Sequence, residues 1–283
     1  MPVGESGSTA MGIDRFVPSV ARMYDWCLGG KDNFDVDREA MQAMMNQGFP
    51  DVVAIARQNR VFLERGVHYL AAEAGIRQFI DHGSGLPTQR NVHEVAQEAQ
   101  PDARVVYIDN DPAVLAHGRA LLAQNQQTTV ISADMSRPED VLADPATQTL
   151  IDFDQPVALL YVSVLHCLPD DQRPDLVLRR LLDAVPSGSY VLISHLASSD
   201  PQARDFLTNF MNERTPWGRV RSEDEIARFF DGLELVEPGL ANINDWRPEH
   251  RATQFPEPRG YTPSSATENS GRIWEYGGIA RKP

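Results

Sequence analysis

The sequence predicts an α/β fold built on a mostly parallel, doubly wound sheet behind a helical N-terminal cap. Three observations carry this expectation. From residue 76 onward, short apolar runs alternate with amphipathic stretches, the rhythm of strands joined by crossover helices. One run, Val157 to Val164, is apolar almost throughout, as a strand covered on both faces should be. Three successive strand candidates also finish in or beside an acid, at Asp81, Asp109 and Asp134. Ligands of open α/β sheets bind beyond those carboxyl ends.

Each element has its own local signal. Residues 1–13 are polar and glycine-bearing and read as a flexible tail. Residues 14–75 read as a helical cap. Pro50-Asp51 starts a helix, with Asp51 placed to cap free N–H groups. Ile55, Phe62, Leu63 and Leu70 then share one helical face, and Gly75 is a stop. Strands are expected at Ile76 to Asp81, Arg104 to Asp109, Thr129 to Ala133, Val157 to Val164 and Ser189 to Leu196. Helices are expected at Asn91 to Ala99, at Pro112 to Ala123 with Asp111 as N-cap, and at Pro174 to Val185. Asp200-Pro201 opens another, and Ser222 to Glu225 forms a capping box for a further one.

Two last strands, Leu233 to Val236 and Ile273 to Ala280, form a hairpin-like return that closes a sheet domain spanning 76–283. That domain is expected to be one compact unit with the cap. The segment between them, 238–272, carries Trp246, Phe255 and Tyr261 and is a candidate lid.

Composition narrows the function. Apolar residues make up 42% and charged residues 23%, the profile of an ordinary globular protein. The two cysteines, Cys27 and Cys167, form no disulfide framework and no metal spacing. Together with the absence of a secretory signal or a long apolar span, they point to the cytoplasm. The net charge of −14 repels phosphate backbones, so a small-molecule acceptor fits better than a nucleic acid, and no membrane partner is expected. Oligomeric state is not legible. No spacing in the chain suits a metal.

The first strand ends in Asp81-His82-Gly83-Ser84-Gly85. Two glycines let the backbone turn sharply and approach a ligand, while the next helix N-terminus can face an anionic group. Taken alone, this is equally a tight strand-to-helix turn. Asp109 can take both hydrogen bonds of a ribose diol, and Asp134-Met135 closes the third strand. The order D-x-G-x-G, then an acid, then Ala-Asp resembles the class I S-adenosylmethionine-dependent methyltransferases. That resemblance implies a Rossmann-like, seven-stranded sheet with an antiparallel last strand. It also implies that Gly83, Ser84 and Gly85 pass under the methionine part of S-adenosylmethionine. By the same resemblance Asp109 with Asn110 holds the ribose, and Asp134 with Met135 meets the adenine. Asp81, His82 and Ser163 complete the expected cofactor contacts on the strand ends.

A narrower resemblance spans nearly the whole chain. Pro18 to Phe34, Arg57-Gln58-Asn59-Arg60, Tyr107 to Pro112 and Tyr276 to Lys282 are similar to an actinobacterial S-adenosyl methyltransferase family once catalogued as a domain of unknown function. Its N-terminal motif, with Tyr24 and Lys31 about Gly29-Gly30, could fold over the cofactor. Alternatively it is an αα-corner with the glycines as its turn.

His166, just past the fourth strand, is the candidate base or substrate contact; a packing role is equally open. His195 and Cys167 read more as packing residues, as do Trp217, Trp246, Trp274 and Tyr276, any of which could also line a substrate pocket. The expected activity is methyl transfer from S-adenosylmethionine, leaving S-adenosylhomocysteine. Two alternatives stand beside it. One is a non-catalytic regulator or scaffold that binds the cofactor. The other is an NAD-dependent oxidoreductase, against which Thr88 stands where a dinucleotide fingerprint needs its third glycine or alanine.

Overall fold

The computed structural model describes residues 12–87, 90–122, 125–248, 253–261 and 271–283. Most of the expected tail, and residues 249–252 and 262–270 of the expected lid, lie outside them. The chain opens with three helices, α1 (Val20–Cys27), α2 (Asp35–Asn46) and α3 (Val52–His68). A π-turn, Tyr69–Glu73, continues α3 to the predicted stop at Gly75. Asp51 occupies the N-cap of α3, but its carboxylate makes no capping bond to the helix. Its backbone, at φ −89° and ψ 1°, departs from the extended geometry that aims a cap at the next N–H groups.

The remaining elements alternate as the pattern requires: β1 (Gln78–His82), α4 (Val92–Ala99), β2 (Arg104–Asp109), α5 (Pro112–Leu122) and β3 (Thr128–Ser132). Two six-residue helices, α6 (Pro138–Ala143) and α7 (Pro145–Leu150), then lead to β4 (Ala158–Val162). After them come α8 (Pro174–Ala184), β5 (Tyr190–Ala197), α9 (Pro201–Asn212) and α10 (Glu223–Ala227). The chain closes with β6 (Glu234–Leu235), β7 (Ala241–Asn242) and β8 (Trp274–Arg281). The other caps read from sequence are made where expected. Asp111 accepts the Ala113 N–H at 2.8 Å, Asp200 accepts that of Gln202 at 2.9 Å, and Ser222 and Glu225 cap one another's turn.

The strand order is β3-β2-β1-β4-β5-β8-β6, with β7 beside β8. The first five strands run parallel, and β8 is antiparallel to β5 over its whole length. All seven expected strands are present; two-residue β7 adds an eighth that is too short to show a period. The order reverses between β1 and β4, which opens a crevice at their carboxyl ends.

Alternation along the strands builds two cores. Ile80, Ile108, Leu159, Tyr161 and Ile193 pack toward α8, while Phe79, Val105, Leu160 and Leu192 pack toward α3 and α4. A third apolar cluster joins the cap to α9, through Met23, Trp26, Met41 and Met44 against Leu207, Phe210 and Met211. Asp37 ties the starts of α1 and α2 together. It is fully buried, pairs with Arg22 at 2.8 Å, and accepts the N–H groups of Ser19 and Phe34.

The described parts of 238–272 pack against the flank of the cap. Trp246 is fully buried edge-on to Phe62, Arg57 donates to Pro256 O, and the Trp26 indole N–H donates to Arg259 O.

Candidate functional site

A cleft of about 770 Å³ opens at the reversal of strand order. Its walls bring together Tyr24, Asp81, Gly83, Ser84, Gly85, Asp109, Asn110, Asp134, Met135 and Ser163. The first turn of α1 and the residues before it, Pro18 to Ala21, roof one side. The Ser19 hydroxyl bonds to the Asp111 carboxylate and so fastens the cap to the head of α5.

The glycine turn is built by close approach. Gly83 has φ +63°, and a Cβ there would lie 2.1 Å from a Val164 methyl. Asp109 holds the far side of the turn: one carboxylate oxygen accepts the Gly85 N–H and the other the Asp111 N–H, each at 2.9 Å. The turn is thereby fixed by the same carboxylate that faces the cleft. Burial raises the Asp109 pKa, and its backbone partners pull it down.

Asp81 is 5% exposed, and its pKa is raised to about 7. Burial is the main cause; the nearby Arg60 charge lowers it and the Asp109 charge raises it. Arg60, from α3, also lines the cleft, where the other charged lining residues are Asp81, Asp109, Asp111, Asp134 and Asp171. This wall suits a ligand with cationic centres and one anionic end. S-adenosylmethionine, with a sulfonium, an ammonium and a carboxylate, has that charge pattern.

Three of the expected site residues lie outside this cleft. His82 is the next residue after Asp81 on the strand and so faces the opposite side. It stacks on Tyr161 with ring centroids 4.4 Å apart, neither ring nitrogen has a hydrogen-bond partner among the described residues, and burial lowers its pKa to about 3. Lys31 stands exposed on the corner between α1 and α2, outside the cleft lining. That corner is held by Asp25, which accepts the Asp32 N–H at 3.0 Å and the Asn33 amide at 2.8 Å. A Cβ on Gly30 would collide with the Asp25 carboxylate. The glycines therefore serve the αα-corner, while Tyr24, one helical turn back, reaches the cleft.

His166 is the third. It lines a separate apolar cavity of about 110 Å³, walled by Met23, Met41, Met44, Met211 and Ile55 among others. Burial and then the charge of Arg221 lower its pKa to about 3. Its Nδ1 accepts the Leu196 N–H at 3.3 Å, so the neutral ring carries its proton on Nε2 and is a donor, not a base. His195 is a packing residue, with Nδ1 on Leu196 O at 2.8 Å and Nε2 facing Arg221 at 2.9 Å. Burial raises the Cys167 thiol to about 12, which removes it as a nucleophile.

The two spaces share walls. Val20, Tyr24, Ser163 and Trp217 line both. Ser163 sits at φ +57°, uncommon for a residue with a side chain. Its N–H donates to the Ser194 hydroxyl at 2.9 Å and its own hydroxyl donates to Glu275 at 2.5 Å. The Ser194 hydroxyl in turn donates to Asn59 Oδ1 at 2.5 Å, and Asn59 donates to the Tyr24 oxygen at 2.9 Å.

Glu275 carries no sequence signal of its own, and the signal at Arg60 is its place in the family-like segment Arg57-Gln58-Asn59-Arg60, which gives it no role. Arg60 is one of many charged residues on a long amphipathic helix, and Glu275 reads as an ordinary polar alternate on a strand. Of the late aromatics, Trp217 lines the cavities, while Trp274 donates to Glu223 at 3.0 Å. Among the described residues, no group of three or more His, Cys, Asp or Glu could hold a metal, and no helix is long and apolar enough to cross a membrane.

Comparison with known proteins bears on this architecture. Residues 6–283 match the sequence model of the S-adenosyl methyltransferase family. A crystal structure of a candidate methyltransferase from Thermobifida fusca YX is 42% identical, with a TM-score of 0.84 over 95% of this chain and 96% of that one. A DUF574 family protein from Streptomyces avermitilis MA-4680 is 38% identical, with a TM-score of 0.83 over 95% and 99%. Carboxy-S-adenosyl-L-methionine synthases from Citrifermentans bemidjiense and Geobacter sp. M21 are 28% and 30% identical over 109 and 112 residues. The match spans 41% of the length of these curated relatives and 38% of this chain.

Proposed function

The chain belongs to the S-adenosyl methyltransferase family, and from that premise we propose that its acceptor is a small, largely apolar molecule held in the methionine-lined cavity. The protein is an S-adenosylmethionine-dependent methyltransferase with a Rossmann-like class I fold. S-adenosylmethionine supplies an electrophilic methyl group on a sulfonium centre; the protein supplies position and electrostatics.

In this reading the cleft residues divide the donor among them. Asp109 takes the ribose hydroxyls with oxygens already steadied by Gly85 and Asp111, and Asn110 lies beside it. Asp134 and Met135 meet the adenine. The backbone of Gly83, Ser84 and Gly85 passes under the methionine portion. Arg60 pairs with its carboxylate and Asp81 with its ammonium, which explains a buried acid beside a buried guanidinium. The cleft acids favour the cationic donor over its neutral-sulfur product, which assists release.

The observation that carries the proposal is the wall shared by cleft and cavity, formed by Val20, Tyr24, Ser163 and Trp217. Because these four side chains border both spaces, a donor in one and an acceptor in the other are neighbours, and the reacting atoms would meet beside these side chains. Holding the reacting atoms near attack distance can supply roughly 7–11 kcal/mol of the barrier. The apolar lining excludes water, which would otherwise compete for the cavity.

Calorimetric titration with S-adenosylhomocysteine, with NAD as control, tests the donor assignment. Binding of NAD alone overturns it. Formation of S-adenosylhomocysteine during incubation with panels of apolar alcohols and phenols, polar metabolites and proteins tests the acceptor. Turnover confined to the polar or protein panel overturns the proposed class.

A further inference from the structure

We propose that Glu275 is the catalytic group that takes the acceptor's proton, and that the acceptor is a phenol, its ring among the methionines and its hydroxyl against Glu275 Oε2. This rests on the reading of the methionine-lined cavity as the acceptor site.

The geometry comes from β8. Glu275 is 3% exposed and lines the cavity. Its Oε1 is engaged by the Ser163 hydroxyl at 2.5 Å, while Oε2 is buried without a hydrogen-bonding partner among the described residues. The nearby Ser194 hydroxyl is committed to Asn59 at 2.5 Å. A buried carboxyl oxygen left unpaired is costly, and a ligand O–H is the complement it lacks. Ser163 also forms part of the cofactor cleft, so the carboxyl stands one side chain away from the donor space.

The groups facing Glu275 leave it without a rival. The ionisable residues lining the cavity are Tyr24, Cys27, His166 and Glu275. Burial holds the Tyr24 phenol and both the Cys27 and Cys167 thiols protonated, and His166 is neutral with its acceptor nitrogen engaged. Glu275 is raised to about 8 by burial, against which the Ser163 hydroxyl acts. It therefore exchanges a proton near neutrality. No cation lines the cavity among the described residues.

The ring has its own complement. Four methionines, Met23, Met41, Met44 and Met211, and Trp217 supply polarizable contacts. A volume of about 110 Å³ is of the order of the ~150 Å³ apolar cavity known to accept benzene.

The step balances. The acceptor O–H bond breaks and its proton moves to Glu275 Oε2. The oxygen pair forms the new O–CH3 bond as the donor S–CH3 bond breaks, its electrons passing to sulfur. Donor cation and carboxylate anion become neutral S-adenosylhomocysteine and a neutral acid.

The test uses the full chain saturated with S-adenosylhomocysteine, titrated calorimetrically with phenol and with benzene. At about pH 9, where Glu275 with its pKa of about 8 is ionised, wild type is expected to prefer phenol by roughly tenfold or more, the worth of a hydrogen bond to a charged group. Glu275→Gln should bind S-adenosylhomocysteine unchanged, lose most of that preference, and convert phenol to anisole about a hundredfold more slowly. Glu275→Asp, which keeps a carboxylate, should recover part of the preference. Wild type that binds S-adenosylhomocysteine but shows no phenol preference overturns the proposal, as does a Glu275→Gln protein that keeps it. Wild type that binds S-adenosylhomocysteine but neither phenol nor benzene strikes the underlying reading of the cavity instead.

Discussion

Replacing Asp81 with Asn separates what the cleft needs from what the fold would choose. The Asp81 carboxyl is raised from 3.8 to about 7, chiefly by burial. Below about pH 4 it is protonated in folded and unfolded chains alike and contributes no difference. Between about pH 4 and 7 the unfolded chain ionises while the folded chain resists, so this group lowers stability as pH rises. The shift of about three units corresponds to a ceiling of about 4 kcal/mol, reached above pH 7. Asn carries no such term. Ligand-free Asp81→Asn should match wild type in thermal midpoint at pH 4 and exceed it at pH 8. At roughly 2–4 °C per kcal/mol for a chain of this size, the gain approaches ~10 °C. The donor's ammonium meanwhile loses its partner, and S-adenosylhomocysteine affinity should fall about 30-fold or more. Calorimetry at pH 7 in two buffers of different ionisation enthalpy gives an independent readout. Wild type should release about half a proton on binding as Asp81 is driven to its charged form, and the variant none. Equal affinity in the two proteins, or stability curves parallel across pH, would refute the assignment of Asp81 as the buried acid that meets the ammonium.

Other substitutions probe the frame around it. Gly83→Ala forces a side chain into left-handed backbone 2.1 Å from a Val164 methyl. It should cost about 2 kcal/mol or more in a denaturant melt, and adding Val164→Ala should recover the steric part alone. Lys31→Ala should leave S-adenosylhomocysteine affinity within error of wild type by calorimetry, because Lys31 lies outside the cleft. Arg22→Leu strands the fully buried Asp37 carboxylate. A loss of about 3–5 kcal/mol in unfolding free energy is expected, with an eased deficit in Arg22→Leu/Asp37→Asn.

Much of this architecture is legible in the chain because its signals are local. The strand β4 is apolar almost throughout because both its faces are covered, and Asp111-Pro112 marks a helix start by its own chemistry. Asp81, Asp109 and Asp134 meet because parallel strands all deliver their carboxyl ends to one edge. The illegible part depends on contacts between distant segments. His82 sits beside the cleft in sequence but across the sheet in space, a consequence of strand alternation. His166 comes directly after the expected strand, yet a 3-10 turn at Leu165–Cys167 carries it into the neighbouring cavity. Glu275 meets Ser163 across 112 residues, set by the antiparallel register that pairs it with Leu196. Arg60 reaches Asp81 only once α3 packs on the sheet.

The division of walls between the two spaces has an evolutionary corollary. Residues touching the cleft alone, such as Asp81, Gly85, Asp109 and Asp134, sit at or just beyond the ends of β1, β2 and β3. Those touching the cavity alone, such as Met23, Met41, Met44, Ile55 and Met211, sit on α1, α2, α3 and α9. On the proposed reading, drift at these cavity-only positions reshapes the accepted molecule, while Tyr24 and Arg60 on the same helices stay with the donor. Relatives sharing every strand-end acid can diverge widely in chemistry, and exchanging the side chains that line the cavity alone on α1, α2, α3 and α9 would be the direct way to transplant one member's selectivity onto another.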